Sequence, residues 1–369
     1  MSQTGTGRSG AALHYRGFDP LTGEPLEFWV VDGTISYTVV AGADTVVDEG
    51  WIIPGLVDAH NHVGIAPGLT VTIEQARQYA YADARAGALL IREVGSPVDT
   101  HPLDADAAGP RFVRAGKHIA RPKRYLRDYG VELDDPDELA AEVARQAQAG
   151  DGWVKLVGDW IDREVGDLAP LWTRAQLDAA VATAHEHGAR ITAHVFGADA
   201  LPDIVGAGFD AIEHGTGLDE DLIDAMVDRD IALIPTLVQL ENFPGIAAGA
   251  DRFPKYRSTM LSLYEGRHAV FGAAREAGVR IYAGTDAGGF VEHGRIVDEV
   301  VKLPEIGMSP REALAAASSA ARDWLAASGL DEGARADFLV LDEDPSADLT
   351  ALYHPKLVVC GGRHLSLGS

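Results

Sequence analysis

Short apolar runs alternate with longer amphipathic stretches along most of the chain. Between about residues 55 and 330, eight runs read as strands: 55–58, 88–94, 111–115, 153–157, 190–193, 211–213, 231–235 and 280–283. Helix starts fall between them. Thr173 followed by Gln176, and Ser309 followed by Glu312 with Pro310 at the first helical position, carry the capping-box pattern. Strands that alternate with helices predict a parallel sheet, and eight such units predict an α/β (β/α)8 TIM barrel.

The two ends of the chain have a different texture. Runs at 26–31 and 34–40, separated by turn signals such as Asp32-Gly33, read as a small β module, and 336–341 and 357–359 read as strands again. The expected organisation is therefore a barrel over 55–330 and a small β-sandwich built from both chain ends, 1–54 and 331–369. The least regular stretch, 238–256, contains Pro244, Gly245, Gly249 and Pro254. Because it follows the seventh strand, it is a candidate lid or substrate loop.

Composition narrows the classes of function. With 369 residues, 46% of them hydrophobic, the chain can bury a large core, and a single cysteine, Cys360, excludes a disulfide scaffold. Residues 1–10 hold no leader-like apolar run, and no apolar stretch reaches the ~18 residues of a membrane span. A soluble, cytoplasmic protein is expected. The net charge of −25 repels phosphate backbones and anionic membranes, so the expected partner is a small molecule rather than nucleic acid or a bilayer. A homo-oligomer is compatible with this reading.

Two H-x-H motifs offer a contrast. His185-Glu186-His187 lies late in the helix that begins near Thr173, where residues two apart do not face each other. His60-Asn61-His62 ends a strand, where residues two apart project to the same side and suit one metal. Other ligand-type residues stand at the ends of further strands: Lys155, His194, His214 and Asp286. A barrel draws its site from those ends, so the set predicts a metal centre.

The segments PGLVDAHNHVG, VKLVGDW, ITAHVFG, IEHGTGLDE, AGTDAG and GARADFLVLDEDP together resemble the amidohydrolase superfamily, in its imidazolonepropionase-like and prolidase-like branch. The resemblance implies a barrel with a small β-sandwich and a centre of two divalent metal ions, with zinc the expected metal. His60, His62 and Asp286 would bind one ion and His194 and His214 the other. Lys155, carboxylated by carbon dioxide to a carbamate, would bridge them. It further implies hydrolysis of a C–N amide bond by a metal-bridging hydroxide, with Asp286 as general base and then acid. The substrate would be a dipeptide, an N-acyl amino acid or a cyclic amide. A mononuclear deaminase or cyclic-amidine hydrolase, a lactone or ester hydrolase, and a non-catalytic binding protein are the alternatives.

Substrate contacts are expected in the loops. The stretch 117–127 is unusually basic for so acidic a chain, and Arg121 or Arg124, with His118 nearby, could clamp a substrate carboxylate. His293, after the eighth strand, is a further candidate for substrate contact.

Overall fold

The computed structural model describes residues 12–66 and 69–367. The N-terminal segment considered above as a leader lies outside them. Nine strands run parallel in two sheets. Three of them, Leu56–Asn61, Ala88–Glu93 and Arg111–Arg114, pair in sequence order. The other six are ordered Gly130–Glu132, His118–Ala120, Trp153–Val157, Arg190–Val195, Ala211–His214 and Ala232–Ile234. Helices connect most of them, including Arg174–Glu186 and Pro310–Ala316, each begun by its predicted capping box.

Residues 280–287 join the two sheets. Ile281 bridges Leu233 on one side and Ala287 bridges Asn61 on the other, both in parallel sense. The strand expected at 280–283 is thus reduced to isolated bridges. The physical reason lies just beyond it: Asp286 takes a left-handed backbone (φ 58°), and the amides of Thr285 and Asp286 both donate to the His60 carbonyl. At the far edge, no ladder joins Arg111–Arg114 to the six-stranded sheet among the described residues. The architecture is an α/β fold of parallel strands and helices, and its ladders do not close into the single eight-stranded ring that the sequence predicts.

Both chain ends meet, as the sequence suggests, but in one continuous sheet of eight strands. Phe338–Leu341 pairs antiparallel with Trp51–Pro54, which continues to Leu13–Phe18 and Pro25–Val31. Its ladders describe one mixed sheet, not two separate facing ones. Tyr15 and Phe28 stack on each other and both meet Phe338 edge to face on its core side, with Tyr15 and Phe338 4.9 Å apart.

The stretch 238–256 is largely helical, which corrects the expectation of irregular chain. Leu237–Leu240 and Phe243–Ala248 are short helices, and Pro254–Ala277 starts a long one. Pro244 and Pro254 fall in the first turns, where a missing N–H costs nothing. Among the described residues no helix is long and apolar enough to cross a membrane.

Candidate metal centre

The Leu56–Asn61 strand is buried along its whole length, and its end carries His60 and His62 to the C-terminal side of the parallel strands. Asp58 holds this end in shape. Its carboxylate accepts from the Thr285 hydroxyl at 2.6 Å, the Thr285 amide at 3.0 Å and the Asn61 side chain at 2.9 Å. That draws the 284–288 segment against the two histidines. Two glycines permit the approach: a Cβ on Gly284 would lie 2.7 Å from the His60 nitrogen, and one on Gly288 would lie 2.4 Å from the His62 carbonyl oxygen.

The outcome is three ligand atoms in one place. His60 Nε2 lies 3.2 Å from His62 Nε2, and Asp286 Oδ1 lies 3.1 and 3.0 Å from the two. The far nitrogens decide the tautomers. His60 Nδ1 faces Glu213 Oε2 at 2.8 Å and His62 Nδ1 faces the Gly95 carbonyl at 2.8 Å, and both of those oxygens can only accept. Each Nδ1 must therefore carry the proton, which turns both Nε2 lone pairs toward the carboxylate. Three acceptors meet without a donor among them. A proton could relieve one edge of that triangle, whereas a cation relieves all three.

A second pair sits beside the first. His194 Nδ1 lies 3.0 Å from His214 Nε2, and the His60 and His214 rings are 5.1 Å apart. His214 Nδ1 is anchored by Thr236 Oγ1 at 2.7 Å. Burial, with each other's charge and that of Lys155, holds His194 well below the usual imidazole range, and burial likewise lowers His214. Neutral rings are the form that binds metal. For Asp286, burial alone would raise the carboxyl, but the neighbouring imidazoles, His60 first among them, outweigh that and hold it well below the usual range.

Lys155 is 1% exposed, and its Nζ finds no hydrogen-bond partner among the described residues; the same is true of His194 Nε2. Burial pushes the amine down to about 8. Its charge opposes protonation of His60, His62, His194 and His214, although for His60 the carboxylates of Asp286 and Glu213 prevail and the net shift is upward. Leaving a buried polar group unpaired costs on the order of 1–3 kcal/mol, so the site holds an unmet demand that a bound ligand would satisfy. His214, Thr236 and Asp286 all have left-handed backbones (φ 69°, 50° and 58°), a conformation that costs about 1–3 kcal/mol in a non-glycine residue and clusters at functional sites.

The cavity beside these groups encloses about 110 Å³. His62, His194 and Asp286 form one wall, and Tyr125, Tyr129, Trp160, Phe196, Tyr256 and Phe290 form much of the rest. Gln239, Ile246 and Tyr256 come from the 238–256 stretch.

Residues 51–365 match the sequence profile of the amidohydrolase family. The chain belongs to the amidohydrolase family. This amidohydrolase is 54% identical over 351 residues to an uncharacterized protein of Mycobacterium tuberculosis, covering 95% of each chain. It is 26% identical over 234 residues to ochratoxinase of Aspergillus niger, a match that spans 61% of this chain and 48% of the ochratoxinase. Its fold is similar to the crystal structure of an Xaa-Pro dipeptidase with bound methionine (TM-score 0.80, 24% identity, 96% and 100% of the two chains). It is similar as well to that of A. niger ochratoxinase (TM-score 0.80, 19% identity, 96% of both chains). Membership of the amidohydrolase family supports a hydrolase.

The amidohydrolase brings together His60, His62, Lys155, His194, His214 and Asp286. Other expected contacts go elsewhere. Arg121 donates to the carbonyls of Leu133 and Asp134, at 2.6 and 2.9 Å, and Arg124 pairs with Asp162 at 2.9 Å while donating to the carbonyls of Trp160 and Ala169. Neither lines the cavity, so the carboxylate clamp expected there is corrected: these guanidinium groups tie the basic loop to its neighbours. His118 is buried with its ring 5.1 Å from His62, its Nδ1 facing the Tyr129 carbonyl at 3.2 Å. His293 is bonded to Asp83 at 2.8 Å and stacked on Tyr79, and is not among the lining residues. Asp83 also accepts from Asn61, so His293 braces the H-x-H turn from behind. The second H-x-H is remote: His185 pairs with Asp210 on the helix end, and His187 caps that helix.

Sequence reasoning missed Glu213 and Thr236. Glu213 is wholly buried and accepts from Arg92 and Thr192, both at 2.5 Å, as well as facing His60. Its signal was a carboxylate inside an otherwise apolar strand, Ala-Ile-Glu-His. Thr236 stands in the run Ile-Pro-Thr-Leu, which also carries the family resemblance but does not by itself reveal the threonine's role.

Proposed function

We propose that this amidohydrolase is a binuclear metal-dependent hydrolase that cleaves a C–N amide bond in a small substrate. His60, His62 and Asp286 would hold one divalent cation and His194 and His214 a second, with Lys155, carboxylated on Nζ, between them. Nitrogen and oxygen donors without a cysteine suit zinc. The observation that carries the reading is the meeting of His60 Nε2, His62 Nε2 and Asp286 Oδ1 with no donor among them. When bound, such cations lower the pKa of a water and polarise a carbonyl.

The chain's own groups do the rest. Glu213 and the Gly95 carbonyl hold His60 and His62 in the tautomer that presents Nε2. Asp286 keeps 18% of its side chain exposed and lines the cavity, where it would take a proton from the attacking water and pass it to the leaving nitrogen. The buried Lys155 amine would lose a proton, add carbon dioxide and release a second proton, becoming a carbamate anion that suits two cations. The dipeptidase among the structural neighbours supports a dipeptide or N-acyl amino acid as substrate, with cyclic amides beside them.

One observation favours a mononuclear reading. Among the described histidines, cysteines and carboxylates, only His60, His62 and Asp286 form a group of three with ligand atoms within 4.8 Å of one another. Elemental mass spectrometry on gently purified protein, without chelator or added metal, decides between them. About two ions per chain support the binuclear centre, and about one moves a deaminase or cyclic-amidine hydrolase to the front. None, even after metal is added back, refutes both.

A further inference from the structure

We infer that the substrate group seated beside the centre is an uncharged aromatic ring, and that the protein selects against amides carrying a free carboxylate there. The inference rests on the amide-hydrolase reading and narrows its substrate class to amides whose free carboxylate, where they carry one, lies away from this cavity.

The cavity wall carries it. Tyr125, Trp160, Phe196 and Phe290 line a space of about 110 Å³, and no lysine or arginine lines it among the described residues. An apolar cavity of roughly 150 Å³ is enough to hold a benzene ring, so an open one of this size takes a single ring with part of it toward the mouth. Rings packed at offset or edge-on angles attract one another beyond simple burial. Phe290 is 58% exposed, an apolar face left in water beside the opening.

Charge points the same way. A carboxylate carried into the part of the pocket away from the centre would shed its water and find no lysine or arginine side chain to replace it. Arg121 and Arg124 are committed to backbone carbonyls and Asp162, and Arg127, next to Leu126, is exposed beside Asp128 and does not line the cavity. The polar side chains that remain are neutral: the Gln239 amide and tyrosine hydroxyls. Those can orient an amide or a phenol and cannot neutralise an acid.

Three probes that differ in one feature test this: acetanilide, its para-carboxylate 4-acetamidobenzoate, and ring-free N-butylacetamide. Each is followed by hydrolysis with the metal-loaded protein and, separately, by quenching of tryptophan fluorescence on binding. The neutral ring amide should exceed both others by about tenfold or more, the scale at which pockets discriminate by shape and polarity. Phe290→Ala, at an exposed position, should erase most of the advantage of the ring over the butyl chain while leaving the melting temperature in place. Leu126→Arg, which adds a cation to the wall, should bring 4-acetamidobenzoate up toward acetanilide. Equal or better use of the carboxylate by the unaltered protein, or no loss of ring preference in Phe290→Ala, overturns the inference. Failure to hydrolyse any amide refutes the hydrolase reading alone, because the order of binding among the three probes still tests the pocket.

Discussion

Glu213 Oε2 lies 2.8 Å from Nδ1 of His60, with both side chains sealed from solvent. The carboxylate can only accept, so it fixes which imidazole nitrogen carries the proton and which faces the centre. Arg92, packed over the rings of both Trp153 and Trp324, compensates its charge. Glu213→Gln should weaken metal binding by roughly 10- to 100-fold, the usual cost of losing such an orienting partner. Competition against a chelator measures this directly, and an unchanged affinity would show that His60 needs no such brace. The same variant leaves Arg92 without its counter-charge, so its melting temperature should fall as well.

Asp286→Asn keeps an oxygen donor near His60 and His62 but cannot accept and return a proton. Metal content should stay near that of the unaltered protein while kcat falls by about 10²- to 10⁴-fold. A kcat within a few-fold of normal would remove Asp286 from proton transfer.

Lys155 has no partner for its amine, which is the observation behind its assignment as a carbamate. After incubation with carbon-13 bicarbonate, the unaltered protein should show a carbamate carbon by NMR that Lys155→Ala lacks. The variant should lose activity, and bicarbonate should not restore it. A fully active variant, or no carbamate signal in metal-loaded protein, argues for the mononuclear centre.

Glu299 is buried beneath the Leu237–Leu240 turn and accepts from the amides of Leu237 and Val238 at 2.9 and 2.8 Å. Burial pushes its carboxyl up to about 8 from an ordinary 4.5. The folded protein thus holds this proton more tightly than the unfolded chain does. The contribution to stability is full below about pH 4.5 and is lost as pH rises through about 8, with a slope of at most ~1.4 kcal/mol per pH unit. Urea midpoints across this range should fall with pH faster in the unaltered protein than in Glu299→Gln. Parallel profiles would mean that Glu299 does not titrate there.

The parts of the centre that were legible beforehand share a local cause. His60 and His62 could be paired because strand periodicity sends residues two apart to one side, and His185 and His187 could be set aside because helical periodicity does not. Arg121 and Arg124 misled for the opposite reason. A cluster of guanidinium groups in an acidic chain reads as a binding site, but their donors found Leu133, Asp134, Trp160, Ala169 and Asp162, and only the folded loop shows those partners.

From the amino-acid order alone follow the strands and helices, the capping boxes at Thr173 and Ser309, the family resemblance and the six ligand-type residues. These depend on periodicity, on groups a few positions apart, or on motifs that stand intact in the chain. Tertiary structure decided the rest: the break at 284–288 that replaces an eighth strand, the buried pairing of Glu213 with His60, the anchoring of His214 by Thr236, and the aromatic wall without a cation. Each of these joins side chains from separate strands and loops. Their meeting is set by how sheets twist, where a left-handed residue turns the backbone and which glycine admits a close approach, and no local pattern encodes that.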